Sequence, residues 1–354
     1  MITHKILLIV LSFMFLFSCK NNSSEKLEVD NKSNEKKVEN IKEKTTYKGK
    51  FDFGFVSSNR YILLDTLVSD DLSIGEASNL INYADGRFTA QKDIDYDLLP
   101  EEYKDLINSE IKVGASSGEF YTVKIKSIKM IAECIPHFGT LQNWSGEYTD
   151  NGEYNDAEKS AELWDMGSYY LVAEFEEVKY EQIIFAVPMD SKAKIYPEVE
   201  AQELDNTDNY RTQIIDNLSS TEIFKANQEE YENSESATDE KWWNNNETWE
   251  LYSYIPGENN EFYVALYLVG GNPCGGDYFF STFSVTKFKK GSLVENMYFE
   301  ELGYYLVLAI DLNDDGVLEY IVEDFFGRRI LLFLGDHDWE ELYEWTIPYL
   351  DCPC

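Results

Sequence analysis

The pattern of apolar and polar positions predicts a strand-rich segment over residues 48–200. Short apolar runs at strand spacing indicate strands at 61–64, 110–113, 119–131, 169–175 and 182–187. Pro100, followed by Glu101 and Glu102, predicts a helix over 100–107, and the capping-box spacing of Asn155 and Glu158 predicts a second helix running toward Gly167. We therefore expect an α+β domain that is richer in strand than in helix.

A second strand-rich segment spans residues 249–354. Its apolar runs predict strands at 262–269, 278–288, 304–310, 318–322, 329–334 and 339–345. A spacing of about ten residues with Gly or Asp turns is typical of a meandering antiparallel sheet. The segment is predicted to be an antiparallel all-β domain, and the whole chain to have a mainly β fold.

Polar stretches separate these two segments and precede them. Residues 20–47 consist largely of Asn, Ser, Lys and Glu with little to bury, so residues 19–47 are predicted to form a disordered tether. Residues 201–248 are acidic and predict a connector, interrupted by one short helix at 210–218. Within it, residues 227–240 are expected to be exposed.

The charge balance restricts the kinds of partner. The chain has 66 acidic and 30 basic residues and a net charge of −36. Such a field repels phosphates, which excludes nucleic acid as an expected partner, and it favours divalent cations and basic partners. A hydrophobic fraction of 44% is enough to build folded cores, so disorder throughout is also excluded.

The N-terminus has the layout of an export signal. Lys5 precedes an apolar run over residues 6–17, which is too short to cross a bilayer. Leu16, Phe17, Ser18 and Cys19 resemble the lipobox of bacterial lipoproteins. The resemblance implies that residues 1–18 are a signal peptide, that Cys19 is lipidated, and that the protein is anchored in the cell envelope. Lys20, rather than Asp, follows this cysteine, and in that respect the chain resembles lipoproteins that are sent to the outer membrane. An ordinary signal peptide or an uncleaved anchor is the alternative.

Four cysteines remain besides Cys19, namely Cys134, Cys274, Cys352 and Cys354. An even number in an exported protein is compatible with disulfides, because the compartment is oxidising. Free buried thiols are an equally good interpretation for Cys134 and Cys274, since a protein of this size can be stable without disulfides.

The sharpest chemical motif is an acidic loop whose oxygen atoms could surround Ca²⁺: Asp311, Asn313, Asp315, the carbonyl of Val317, and Glu319. Gly316 permits the tight turn, but the acid that an EF-hand needs three residues after Glu319 is replaced by Val322. A D-x-N-x-D-G-x-x-E loop between two strands is similar to the calcium hairpin of FG-GAP and VCBS repeats. That resemblance implies Ca²⁺ as the cofactor, these five residues as its ligands, and a propeller-like C-terminal domain. An Asx-rich hairpin turn that binds nothing is the alternative.

Two other motifs have ordinary interpretations. The segment from Gly114 to Gly118 fits the G-x-S-x-G of serine hydrolases, with His137 as a possible base, but the strand that follows it favours a hairpin turn. Trp242, Trp243 and Trp249 could form a sugar-stacking platform, although aromatic residues that enter a β domain more often pack against its edge.

These observations predict a lipid-anchored, non-catalytic protein of the cell envelope, in the outer membrane, with a calcium-stabilised β domain that binds a protein or glycan. The alternative is a lipid-anchored hydrolase that acts on envelope polysaccharide or peptide.

Overall fold

The computed structural model describes residues 51–67, 72–74, 82–84, 87–136, 156–165, 169–197, 199–200, 207–257, 260–271, 277–299, 304–324, 327–335, 338–346 and 349–350. The predicted signal peptide and tether lie outside this range. In the described part of the chain, strands account for 54% and helices for 16%. The prediction of a mainly β fold is therefore confirmed.

Eleven strands are described before residue 201: β1 Gly54–Ser57, β2 Tyr61–Leu67, β3 Ser73–Ile74, β4 Asn82–Ala84, β5 Arg87–Ile94, β6 Glu110–Ala115, β7 Phe120–Pro136, β8 Tyr169–Phe175, β9 Ile183–Val187, β10 Lys194–Tyr196 and β11 Val199–Glu200. Nine described strands follow: β12 Trp249–Pro256, β13 Glu261–Gly271, β14 Phe279–Lys289, β15 Ser292–Phe299, β16 Tyr305–Asp311, β17 Glu319–Glu323, β18 Gly327–Gly335, β19 Asp338–Thr346 and β20 Tyr349–Leu350. The described α-helices are α1 Glu101–Lys104, α2 Asp156–Asp165, α3 Thr207–Leu218 and α4 Glu222–Glu232.

Six strands close into an antiparallel barrel in the order β7-β6-β9-β1-β2-β8, with β8 pairing back onto β7. The 17-residue strand β7 makes this closure possible. Its first residues pair with β6, while residues 125–132 pair with β8. Strand β5 then pairs with residues 130–134 of β7, on the opposite side from β8. One strand therefore belongs both to the ring and to the sheet that extends from it.

Two five-stranded antiparallel sheets stack beyond the barrel. The near sheet has the order β10-β16-β17-β18-β19, and the far sheet has the order β11-β12-β13-β14-β15. Phe185 of the barrel shares a core cluster with Ile310 and Ile330 of the near sheet. The opposite face of the near sheet packs against the far sheet. Tyr320 of the near sheet and Val285 of the far sheet belong to the same core cluster. The molecule is thus a series of layers: barrel, near sheet, far sheet, and a helical layer made of α3 and α4.

Burial on both faces explains the continuous apolar run of β13. Val264, Leu266 and Leu268 face the helical layer, whereas Ala265 and Tyr267 face the near sheet. A strand that is covered on both sides has no polar face, so its sequence reads as an uninterrupted apolar run. This is why the run was predicted as a strand without clear alternation.

Residues 227–240, predicted to be an exposed connector, are exposed at most positions, but the first of them belong to a helix with buried residues. Helix α4 continues to Glu232, and its Phe224, Gln228 and Tyr231 are buried. These positions follow the i, i+4, i+7 spacing of one helix face, and the exposed remainder of the helix is rich in glutamate. Because the segment is highly charged, its sequence did not indicate this helix, which covers the far sheet.

The strand pairing also crosses the predicted domain limits at 200 and 249. β10 pairs with β16 of the near sheet, and β11 pairs with β12 of the far sheet. Two strands that precede the helical layer therefore complete the two sheets that follow it. The division of the chain into those domains stays a prediction.

Most predicted elements are present, with some changes at their ends. β8 has the predicted bounds, while β7 extends five residues past the predicted end at 131, to Pro136. α1 is shorter than predicted and ends at Lys104, after which Asn108 adopts a left-handed conformation with φ +67°. The described strands that had not been predicted individually are β1, β3, β4, β5, β10, β11, β12, β15 and β20.

Candidate functional site: the acidic hairpin between β16 and β17

The predicted calcium loop is the connection between two adjacent strands of the near sheet. Asp311 is the last residue of β16, and Glu319 is the first residue of β17. Between them Asp314 (φ +63°) and Gly316 (φ +84°) take left-handed conformations. A Cβ at Gly316 would meet no atom within 4 Å, so glycine is favoured there by the backbone angle rather than by lack of space.

The acidic side chains hold the loop through its own backbone. Asp311 accepts hydrogen bonds from the amide of Asp315 at Oδ1 (3.1 Å) and from that of Gly316 at Oδ2 (3.0 Å). The Oδ1 atom of Asn313 also accepts from the Asp315 amide, at 3.0 Å. Glu319 Oε2 accepts from the amide of Leu312 at 2.9 Å. The side-chain oxygens of Asp311, Asn313 and Glu319 therefore point into the turn.

Two of these carboxylates are buried. Asp311 has 0% of its surface exposed and Glu319 has 4%. Burial raises the pKa of Glu319, the hydrogen bond from Leu312 opposes this rise, and the negative charges of Asp311 and Asp315 add to it. The hairpin thus keeps a carboxyl group in surroundings that disfavour its ionised form.

A basic side chain approaches the hairpin from the edge strand β10. Lys194 lies opposite Asp311 in the strand register and forms an ion pair with Asp314. The hydrogen bond and charge of Lys194 lower the pKa of Asp314, and Asp314 raises the pKa of Lys194. Lys194 is therefore engaged by a residue that is not among the predicted calcium ligands.

The chemistry of the donor set fits a hard cation, because all five predicted ligands offer oxygen. The hydrogen bonds described above show Asp311 and Glu319 turned toward the same loop. Among the described residues, no group of three or more His, Cys, Asp or Glu side chains is arranged to hold a metal ion. Calcium binding at this hairpin consequently stays a prediction.

The G-x-S-x-G segment is a hairpin turn, as its ordinary interpretation predicted. It connects β6 to β7, and the amide of Gly118 donates to the carbonyl of Ala115 at 3.0 Å. Gly118 itself has φ +90°. A nucleophile elbow needs a helix after the serine, and here a strand follows. His137 lies outside the described residues.

Trp242 does not belong to an exposed stacking platform. It has 0% of its surface exposed and packs against Phe224 and Phe280, with ring centroids 5.2 and 5.3 Å away. Trp249 meets Tyr267 edge to face at 5.2 Å. The interpretation of these tryptophans as packing residues is confirmed for Trp242, which joins the helical layer to the far sheet.

Of the predicted disulfide cysteines, the structure describes Cys134, which is buried in β7. Cys19, Cys274, Cys352 and Cys354 lie outside the described residues. β20 runs parallel to β7 with Tyr349 opposite Ile135, so the C-terminal segment begins beside the strand that carries Cys134. Lipidation of Cys19 and the pairing of the other four cysteines stay predictions.

No known protein family matches this chain, and searches of curated proteins and of solved structures give no significant match. Within the described ranges, no helix has both the length and the apolar character needed to cross a bilayer.

Proposed function

We propose that the chain is a lipid-anchored protein of the cell envelope whose stacked sheets are stabilised by Ca²⁺ and bind a protein or glycan partner without catalysis. The observation that supports this proposal is the acidic hairpin, where Asp311 and Glu319 are buried and hydrogen-bonded to backbone amides. Buried carboxylates that lie close to one another are unfavourable unless a positive charge compensates them.

In this proposal, Asp311, Asn313, Asp315, Glu319 and the carbonyl of Val317 hold the cation. Ca²⁺ supplies positive charge that offsets the repulsion among the three carboxylates. The hairpin connects two central strands of the near sheet, which is packed on both faces. Fixing this turn would therefore stabilise the layers on either side of it.

Calcium is expected to raise the melting temperature of the full mature chain. Binding to the folded state alone adds about 2.7 kcal/mol at a hundredfold excess over Kd. The double variant Asp311→Ala/Asp315→Ala should lose this increment, whereas Asp208→Ala/Asp216→Ala on the exposed surface of α3 changes the charge equally and should keep it. Mg²⁺ should have less effect, because it prefers a strict octahedron and retains its waters. A calcium increment in the hairpin variant equal to that of the parent would refute the site.

The charge of Glu319 provides a second measurement of the same site. Its folded-state pKa is raised, so the calcium-free protein loses stability as the pH rises from the ordinary glutamate pKa through that raised value. Glu319→Gln keeps an oxygen that can accept from Leu312 and removes this loss. Without calcium the variant should be the more stable protein at neutral pH, and with calcium the order should reverse. Urea unfolding in chelator and in calcium measures both.

The anchor is tested separately. Cys19→Ala should leave the precursor uncut and abolish labelling with a radioactive fatty acid, because lipidation requires that thiol. Cys352→Ala is the matched control and should be labelled like the parent. Unchanged labelling of the Cys19 variant would remove the lipid anchor from the proposal.

A further inference from the structure

Tyr180 is presented in an unusual way at one end of the barrel. It lies in the loop between β8 and β9, its relative exposure is 102%, and its φ is +69°. A bulky residue in the left-handed region is an outlier, because its Cβ crowds the backbone. A fully exposed ring gains nothing from burial that would offset this strain. Strained residues of this kind are maintained where the surrounding structure holds them, often at binding surfaces.

Side chains from the neighbouring barrel turns hold this loop. Asn59, in the turn between β1 and β2, donates from Nδ2 to the carbonyl of Glu181 (2.8 Å) and to that of Val178 (3.4 Å). Its Oδ1 accepts from the amide of Ile183 at 2.7 Å. Ser117, in the turn between β6 and β7, donates to Glu181 Oε2 at 2.8 Å. The three connections at residues 58–60, 116–119 and 176–182 are therefore tied together, and we call them the barrel rim.

Two carboxylates of the barrel rim, those of Glu119 and Glu181, accept hydrogen bonds from hydroxyl groups. Tyr121 donates to Glu119 Oε2 at 2.9 Å. The pKa of Tyr121 is raised to about 12, first by the hydrogen bond to Glu119 and then by burial and a hydrogen bond to Glu181. In the described structure the hydrogen-bonding partners of the two carboxylates are hydroxyl groups of Tyr121 and Ser117 rather than lysine or arginine.

The nearby basic side chains are mostly engaged elsewhere. Arg60 pairs with Glu174, and Lys126 pairs with Glu176 at 3.4 Å. Lys179 and Glu177 are both exposed within the loop that carries Tyr180, and their opposite charges cancel in the net charge of that loop. The charges of Glu119 and Glu181 therefore leave the barrel rim with an excess of negative charge around an exposed aromatic ring.

We propose that the barrel rim is a docking surface for a basic segment of a partner protein, with an arginine or lysine stacked on Tyr180 and neighbouring basic residues paired with Glu119 and Glu181. Cations are attracted to the face of a tyrosine ring, and opposite charges at the edge of an interface orient the partner. Because the three turns are tied together, little conformational freedom is lost on binding. The surface uses none of the residues of the calcium hairpin, so the two proposals can fail independently.

The test measures binding of a capped, fluorescein-labelled tetra-arginine peptide to the full mature chain by anisotropy, at a salt concentration of about 150 mM, which screens distant charges. Tyr180→Ala should weaken binding about two- to fivefold, the range expected for an exposed cation–π contact. Tyr96→Ala, which removes an exposed tyrosine outside the barrel rim, should bind like the parent. Equal affinities of the Tyr180 variant and the parent would overturn the proposal.

The strong negative charge of the whole chain requires a charge-matched control. Glu119→Gln/Glu181→Gln should weaken binding about fivefold or more, and Glu229→Gln/Glu230→Gln on the exposed surface of α4 should weaken it less than twofold. Equal losses of affinity in the two double variants would mean that the peptide responds only to the net charge of the protein, which contradicts a docking surface at the barrel rim. Tyr180→Gly should bind as poorly as Tyr180→Ala while unfolding at no lower urea concentration than the parent, because glycine accepts a positive φ.

Discussion

Replacing Trp242 with alanine is expected to lower the free energy of unfolding by about 3–5 kcal/mol, the range for removing a large buried aromatic side chain. Trp242 is completely buried and packs against Phe224 and Phe280. A Cβ at Gly270 would lie 2.7 Å from its ring, so the indole is in close contact with β13 as well. The substitution would leave a cavity between the helical layer and the far sheet.

Urea unfolding of Trp242→Ala tests this expectation, with Trp243→Ala at the neighbouring position as the control. Trp243 is only partly buried, and its ring stands edge to face with Trp242 at 5.8 Å. Its removal should therefore cost clearly less than that of Trp242. If Trp242→Ala cost under about 1 kcal/mol, residues 201–248 would behave as a connector after all, and the helical layer would contribute little to stability.

Replacing Arg328 with alanine is expected to destabilise the protein by about 3 kcal/mol or more. Arg328 is 5% exposed and forms an ion pair with Glu323. Its Nη1 donates to the carbonyl of Val56 in the barrel at 3.1 Å, and its guanidinium lies 5.6 Å from the centroid of the Trp345 ring. Removing one partner of a buried pair leaves the other charge without compensation, which is the costly part of the change.

A double-mutant cycle separates the charge effect from the loss of packing. Arg328→Ala/Glu323→Gln should recover part of the stability lost in Arg328→Ala, because the second substitution removes the uncompensated carboxylate. Arg329→Ala is the control next in sequence: its pairs with Glu341 and Glu344 are partly exposed, so it should cost about 1 kcal/mol or less. Equal losses in the Arg328 and Arg329 variants would contradict a buried link between barrel and near sheet.

Strands that are buried on both faces were the easiest elements to predict. Residues 169–175 form β8 with the predicted bounds, and all seven residues are buried. Such strands are indicated by an unbroken apolar run that ends abruptly at turn residues. By contrast, β12 has exposed Glu250 and Leu251 among its tyrosines, so its sequence did not give a clear apolar run.

Long-range pairing could not be read from local pattern. The barrel depends on β7 pairing with β6, β8 and β5 at different residues, and β5 and β8 are far apart along the chain. In the same way β10 reaches β16 across more than a hundred residues. Amphipathicity shows which faces must be buried, but it does not specify which partner buries them.

The acidic hairpin was predictable because its determinants are local. The spacing of Asp311, Asn313 and Asp315 around Gly316 specifies a turn through hydrogen bonds within six residues. Tyr180 gave no such signal, because a single tyrosine among Glu177, Lys179 and Glu181 looks like an ordinary loop residue. The loop that carries it is held by Asn59, which is distant in sequence and close only in the folded barrel.

The central strands of the near sheet are covered on both faces, and this limits how the chain can be divided. Leu308, Ile310 and Ile321 are covered by the barrel, while Ala309 and Tyr320 are covered by the far sheet. A fragment that begins after β11 would carry the first set of side chains as a bare apolar surface and would also lack two edge strands. Bare surfaces of this kind promote aggregation. Expression or proteolysis that separates the two halves should therefore yield insoluble pieces rather than working domains.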